Sequence, residues 1–508
     1  MLFNSINFVF LFLPITLIAF YGCKPFLRPS FAVNAPFLVI VCASLIFYSH
    51  WFWPNVFVLC FSILLNFYIG KIFQKVHHRK LCLFLGISFN LLLLAYFKYF
   101  NFFVENVTAL FGNNNFLITV ALPLGISFFT FQQIAYLVEG YRGKIRAESL
   151  LEYALFVSFF PQLIAGPIVL YEDLRKQYRG RRFGIFDLNM LVGGISIFAI
   201  GLSKKILIAD QLSSVSDRVF ARADAGLTIQ FFEAWAGALA YTYQLYFDFS
   251  GYSDMAIGLA LMFGLYLPIN FTSPYKATSI IEFWRRWHVT LSNFLRDYLY
   301  IPLGGGKKGY YRTMLNLLIV MLLGGLWHGA GWNFVFWGFL HGVFLLVNHT
   351  YRRYGLLFSN VFSATPVAYL LTMISVILAW TFFRAESFQG ALNIIDVMFG
   401  GNLILMPSEL YPFIPEVMHS VLLKESEKDL LYWCGDLTWD VFLIIIIVAL
   451  GTVGLPSSTD LYKSYRQSGD MFVASRRLSF AFLLGTAFVL SILLIYAESA
   501  NKFLYFQF

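Results

Sequence analysis

Charge is what this sequence has least of. Only 12% of its 508 residues are Asp, Glu, Lys or Arg, against about 25% in soluble globular proteins. A chain this poor in charge and 59% hydrophobic is built to live in lipid. Cysteine is scarce too: Cys23, Cys42, Cys60, Cys82 and Cys434 are odd in number and contain no C-x-x-C. That spacing argues against a disulfide framework or a zinc site and leaves the thiols as small hydrophobes. No H-x-x-x-H or H-E-x-x-H pair is present, so no metal is expected. G-x-S-x-G and Walker A patterns are also missing, which removes support for an acyl-serine hydrolase and an ATP-driven pump. The net charge of +9 sits in short loops rather than in a nucleic-acid-binding pattern, so no nucleic-acid partner is expected. No soluble domain, repeat or low-complexity stretch interrupts residues 1–508. They read as a single transmembrane domain, with Met1 to Phe20 a retained helix rather than a signal peptide.

What is there is a series of apolar runs separated by basic loops. Lys24 with Arg28, Lys71 through Lys80, Arg142 through Arg146 and Arg175 through Arg182 mark cytoplasmic loops, because such loops carry the Lys/Arg excess. Asn7 to Gly22 then enters from an external N-terminus. Pro36 to Ser49 crosses out to the aromatic turn His50-Trp-Phe-Trp-Pro54, Val56 to Ile69 returns, Leu81 to Tyr99 leaves, and Ile118 to Val138 comes back. Leu151 to Leu170 breaks the alternation, since Pro161 and Gly166-Pro167 interrupt it and both its ends face basic loops. This predicts a re-entrant segment, tolerated only when buried in protein or lining a cavity. Further spans are expected near 190–208, 229–247, 252–267, 315–327, 333–347, 367–383, 441–455 and 480–495. The fold class is therefore an all-α polytopic membrane protein, with roughly eleven to thirteen crossings or half-crossings of ~20 residues each. Residues 402–440 are acidic and suit an external loop, and 499–508 form an external C-terminal tail.

Residues 281–350 carry the chemistry. Placed on one helix, Glu282 to Tyr300 shows an apolar stripe at Trp284, Trp287, Leu291, Phe294 and Tyr298 and a polar stripe at Arg285, His288, Ser292 and Arg296. Glu282 with Arg286, and Asn293 with Asp297, stand at i,i+4. Such a helix either lines a water-filled funnel or lies at the interface with its charges as anchors. His328 ends an almost wholly apolar run, flanked by Gly324-Gly325 and Gly329. Small residues there let a second backbone or a ligand approach. An imidazole at membrane depth is either a proton-transfer group or a histidine held by a backbone carbonyl. His341, farther along, suits support or packing better than a direct partnership with His328.

The stretches Phe283-Trp-Arg-Arg-Trp-His288, Leu295-Arg-Asp-Tyr-Leu-Tyr300 and Gly324-Gly-Leu-Trp-His-Gly329 together resemble the membrane-bound O-acyltransferase family. The branch is that of the bacterial alginate O-acetylases, close to the D-alanyl transferase of teichoic acid. Pro123-Leu-Gly-Ile-Ser-Phe128, Ile164-Ala-Gly-Pro167, the run from Gln244 to Met255 and Phe503-Leu-Tyr-Phe-Gln-Phe508 agree with it, in order along nearly the whole chain. The resemblance implies a helical shell around a thin central funnel. It also implies a bacterial inner-membrane location, and acyl transfer from a cytoplasmic thioester, acetyl-CoA, to a hydroxyl handled outside. It carries the catalytic histidine onto His328 and the second motif histidine onto His288. On this reading Arg285, Arg296, Ser292 and Asp297 are candidates to orient reactants or stabilise an oxyanion, and His341 gives support.

Tyr505, in the aromatic tail, is either an acyl relay, since a phenol is both nucleophile and leaving group, or an interfacial anchor. A chain without its own serine nucleophile implies an extracytoplasmic esterase-like (SGNH) partner that delivers the acetyl group to a polysaccharide such as alginate. Peptidoglycan, cellulose or another exopolysaccharide are the alternative acceptors. A transporter or polymer-export channel is the alternative from a different class.

Overall fold

The computed structural model describes residues 1–23, 34–73, 77–111, 121–145, 149–180, 183–355, 365–400, 439–469, 478–497 and 503–504. The described residues form helices and connecting loops, with no strand among them. Among the described residues, eight helices are long and apolar enough to cross a membrane, and Phe8–Gly22 and Ala35–Ser49 are shorter apolar helices. Large apolar side chains such as Phe10, Ile18, Phe57, Phe84, Leu92, Leu450 and Phe482 point outward, as a lipid-facing surface requires.

Two expected boundaries fall differently. The spans expected at 229–247 and 252–267 are one 32-residue helix, Phe231–Met262. The polar stretch at their junction, Asp248 to Asp254, is buried, and both its carboxylates are paired. Asp248 Oδ1 accepts from Lys205 Nζ at 2.6 Å, and Asp254 Oδ2 accepts from Lys204 Nζ at 2.7 Å. Lys205 also bridges to Asp210 at 2.8 Å. A buried charge is tolerated when paired and hydrogen-bonded, so this helix keeps its course through the core. The span expected at 190–208 likewise continues through a π-helical turn, Lys204–Ala209, into Asp210–Asp224.

The central helix lies against Leu188–Ser203 along a glycine ladder. A Cβ at Gly258 would stand 2.5 Å from the Gly194 carbonyl oxygen, and one at Gly201 would stand 2.5 Å from that of Gly251. Only glycines spaced by seven on both helices allow backbones this close, which is how membrane helices pack without a hydrophobic drive between them.

The interruption expected between 151 and 170 is present. Leu150–Ser158 stops, Phe160–Leu163 makes one short turn, and the chain runs on without helix to Tyr171. The freed backbone groups are met by side chains. Phe160 N–H donates to Ser44 Oγ at 3.1 Å, Ile168 N–H donates to Thr290 Oγ1 at 3.0 Å, and Gln162 Nε2 donates to the Phe156 carbonyl at 2.6 Å. The segment is buried in protein, as an irregular backbone at membrane depth must be.

The tail is tied down where it is described. Phe503 and Leu504 are buried, the Phe503 ring meets Tyr252 at 4.9 Å, and Leu504 N–H donates to Asp248 Oδ2 at 3.0 Å. Both are thus core residues. The external loop expected at 402–440 lies outside the described residues as far as 438.

Replacing Gly258 by leucine forces the two helices of the ladder apart. Overpacking of this kind costs about 1–3 kcal/mol or more. Thermal unfolding of the detergent-solubilised protein checks it, with Gly454→Leu, at a glycine facing open space, expected to leave the melting temperature unchanged.

Candidate active site

The site forms where three pieces of backbone leave helical geometry. The helix expected over Glu282 to Tyr300 is broken at its centre: Ile280–Arg286 ends, Trp287 is extended, and Val289–Leu295 begins after His288. Periodicity misses this because the stripe resumes on the far side. His288 sits at φ 41°, in the left-handed region, which costs a non-glycine residue about 1–3 kcal/mol and concentrates at functional sites. Neighbouring backbone bonds hold it there: Thr272 N–H donates to the Arg286 carbonyl at 3.0 Å, and Val289 N–H to that of Asn270 at 2.9 Å. Ser292 Oγ donates to the Trp287 carbonyl at 3.4 Å, closing the break from within.

Asn270 is the hub. Its Oδ1 lies 3.0 Å from His288 Nδ1 and accepts from Thr290 Oγ1 at 3.0 Å and Thr290 N–H at 3.4 Å. A backbone N–H can only donate, so the amide oxygen faces this side and His288 Nδ1 carries the proton. That tautomer leaves Nε2 as the acceptor nitrogen of the ring. Thr290 Oγ1 in turn accepts from Ile168 N–H, so the interrupted 158–170 segment and the His288 turn share one hydrogen-bond network.

His328 is the last residue of the helix Tyr310–His328, after which Gly329 turns the chain into Trp332–Tyr354. The two helices run back along each other, and glycines let them meet. Of the small residues expected to admit a second backbone, Gly325 does so: a Cβ there would run into the Phe334 carbonyl oxygen and the Gly338 backbone, whereas Gly324 and Gly329 face the side chains of Leu295 and Phe334. His328 is buried. Its ring lies 5.0 Å from Trp327, 5.1 Å from Trp337 and 5.3 Å from Phe383, and 6.4 Å from His288. The two motif histidines, far apart in sequence, are thus neighbours in an aromatic enclosure. A small cavity of about 80 Å³ opens beside His328, bordered also by Trp51, Lys98, Ser127, Phe128 and Ile164.

The other candidates fall elsewhere. His341 is buried on the far side of Trp337, 4.9 Å from that ring and stacked on Phe283 at 5.9 Å. Neither of its ring nitrogens has a hydrogen-bond partner among the described residues. Its place on the returning helix, rather than on a straight continuation, brings it near His328 with Trp337 between. Arg285 and Arg296 are exposed, unlike the buried histidines, and Arg296 is bidentate to Asp297 at 2.7 and 3.0 Å. Tyr505 lies outside the described residues.

Three contributors escape a reading of motifs: Asn270, Thr290 and Lys98. Asn270 and Thr290 look like ordinary loop and helix polar residues. Lys98 carries a signal, a lone ammonium within a long apolar run, of the sort that marks function at membrane depth.

Replacing Asn270 by leucine leaves the His288 N–H and the Thr290 hydroxyl without their acceptor. The expected loss is about 1–3 kcal/mol of stability and at least a tenfold fall in turnover. Thermal unfolding and an acyl-transfer assay on the same preparation measure the two.

The profile of the membrane-bound O-acyltransferase family matches residues 43–388, spanning both histidines. The chain is 38% identical to the peptidoglycan O-acetyltransferase of Helicobacter pylori, an alignment covering 100% of this chain and 98% of the relative. It is also 38% identical to a probable alginate O-acetylase of Pseudomonas putida, over 100% of both chains. A teichoic acid D-alanyltransferase of Streptococcus thermophilus is more distant, 29% identical over 45% of this chain and 57% of its own. A buried histidine pair at broken helices inside a lipid-facing shell, and a profile match across two thirds of the sequence, place the chain in the membrane-bound O-acyltransferase family, as an integral membrane O-acyltransferase.

Proposed function

We propose that this enzyme moves an acetyl group from acetyl-CoA on the cytoplasmic side to a hydroxyl on the opposite side, for O-acetylation of an extracytoplasmic polysaccharide. The observation that carries the reading is the packing of His288 near His328, which itself borders a cavity. Two features suit the two substrates. His77, His78, Arg79, Lys80 and Tyr141 line an open cleft of about 610 Å³ between the start of one helix and the end of another, in a basic stretch read as cytoplasmic. Clustered positive charge there raises the local concentration of a polyanion such as acetyl-CoA. The cavity beside His328 is bordered by Trp51, from the aromatic turn read as external, which suits approach of an acceptor hydroxyl.

In the proposed step the acceptor oxygen attacks the thioester carbonyl while His328 takes the hydroxyl proton as general base. The C–O bond forms, the C–S bond breaks, and the proton passes to the departing CoA thiolate. General-base catalysis of this kind contributes about 10²–10⁴-fold. His288, fixed in one tautomer by Asn270, orients the reactants. Because Arg285 and Arg296 are exposed, they suit the handling of charged substrate groups at the surface better than stabilisation of an oxyanion at the buried pair. The acceptor hydroxyl is that of Tyr505 as relay, and an extracytoplasmic esterase-like partner completes delivery to the glycan. Relatives named for peptidoglycan and for alginate match equally well over the full length, so the acceptor is assigned here as a class.

Transfer from radiolabelled acetyl-CoA in membranes tests the reading. His328→Ala at normal expression is expected to lose transfer by about 10²-fold or more; unchanged transfer sinks the general-base assignment. Tyr505→Phe is expected to abolish acetylation of the polymer. If only anchoring is lost, polymer acetylation persists and the relay is wrong. Mass-spectrometric location of the label, on Tyr505, a partner or a given sugar, identifies the acceptor.

A further inference from the structure

Lys98 stands out because the chemistry described so far leaves its charge unassigned. It lies in a π-helical turn, Ala95–Tyr99, set between Arg79–Leu94 and Phe100–Phe111. π-turns inside longer helices are frequent at functional sites. Its Nζ donates to the carbonyls of Trp327 at 2.6 Å and His328 at 2.8 Å, and approaches Ser127 Oγ at 3.5 Å. It also lies 6.0 Å from the centre of the Trp327 ring. Tyr99, the next residue, donates its hydroxyl to the Leu326 carbonyl at 2.8 Å. Two consecutive side chains on one turn therefore hold the last three carbonyls of the helix that ends in His328.

The physics favours a cation at this place. The final carbonyls of a helix lack intrahelical partners, and the helix dipole concentrates partial negative charge there. Water would satisfy such an end at a protein surface, but here it is packed among Trp327, Phe128 and Ile164, next to the cavity. A lysine set against carbonyls directs its Nζ donors at the helix end. The bond to the His328 carbonyl fixes the backbone of the very residue whose imidazole faces His288.

We propose that Lys98 is a positioning residue for acyl transfer: its ammonium, clamped to the Trp327 and His328 carbonyls, sets the direction of the His328 imidazole. This rests on the assignment of His328 as the catalytic base, and the variants are chosen to fail separately from it. Lys98→Met keeps the length of the side chain and removes the donors; Lys98→Arg keeps charge and donors. Each is compared with wild type as full-length protein in nanodiscs, using acetyl-CoA as donor. Lys98→Met is expected to lower kcat at least tenfold with KM for acetyl-CoA within twofold, and Lys98→Arg to recover kcat to within about threefold of wild type. Carbethoxylation of His328 by diethyl pyrocarbonate, followed by mass spectrometry, reads the same placement without turnover. Its rate is expected to change at least threefold in Lys98→Met and to stay at the wild-type value in Lys98→Arg. If Lys98→Met does not fold, Lys98→Gln, which retains one donor without charge, is judged by the same two readouts. Unchanged kcat and unchanged His328 reactivity in a folded neutral variant overturn the proposal. So does a loss that Lys98→Arg fails to restore. A wild type that is inert with acetyl-CoA overturns the donor assignment alone, because the His328 reactivity comparison still decides the role of Lys98.

Discussion

Hydrocarbon offers no water to a backbone carbonyl or amide, and the rest of this structure follows from that constraint. Wherever the chain leaves helical geometry inside the shell, a side chain must complete its hydrogen bonds. It does so at three places: the end of the helix at His328, the break at Trp287–His288, and the interruption between Ser158 and Tyr171. Lys98 and Tyr99 serve the first, Asn270 and Ser292 the second, and Ser44, Gln162 and Thr290 the third. Thr290 links the second and third, since its hydroxyl donates to Asn270 and accepts from Ile168. The two buried imidazoles, His288 and His328, stand at the points where the backbone most needs support, and the same side chains supply that support.

Aromatic packing makes this arrangement stiff. Trp337 lies between His328 and His341, stacks on Trp380 at 5.5 Å, and meets Phe383 at 5.2 Å. Rings in such contacts contribute about 0.5–1.5 kcal/mol per pair beyond their burial. They also leave few alternative rotamers. The strained backbone at His288 is held by two flanking backbone bonds to the 270–272 segment, and Ser273, next to that segment, also stands at positive φ, 50°.

The shell and the histidine pair were legible in the sequence, and their supports were not. His328 and His288 stand out because imidazoles are rare in apolar surroundings, and the Pro161 and Gly166-Pro167 interruption announces itself through residues that cannot continue a helix. The break at His288 is invisible to periodicity, because one residue turning to positive φ leaves the spacing of the apolar positions intact. The continuity of Phe231–Met262 is hidden for the opposite reason. Hydropathy scores Asp248 and Asp254 as polar without seeing that Lys205 and Lys204 neutralise them from another helix. Asn270 matters only because Thr290, Ile168 and His288 converge on it, and convergence is a property of the fold.

The docking of Leu504 on Asp248 gives the chain an order of assembly. These residues are 256 positions apart, whereas Lys205 and Asp248 are separated by only 43. At about 5–20 residues per second, a ribosome delivers Lys205 within seconds of Asp248 but Leu504 only after roughly 10–50 s. The ion pair between the two inner helices can therefore form early, while one carboxylate oxygen waits in the bilayer for its amide. Until residues 503–504 arrive, the core holds a charged group with an incomplete set of donors. A synthesis stalled before that point leaves a recognisably unfinished membrane protein, exposed to quality control at its centre rather than at its edge.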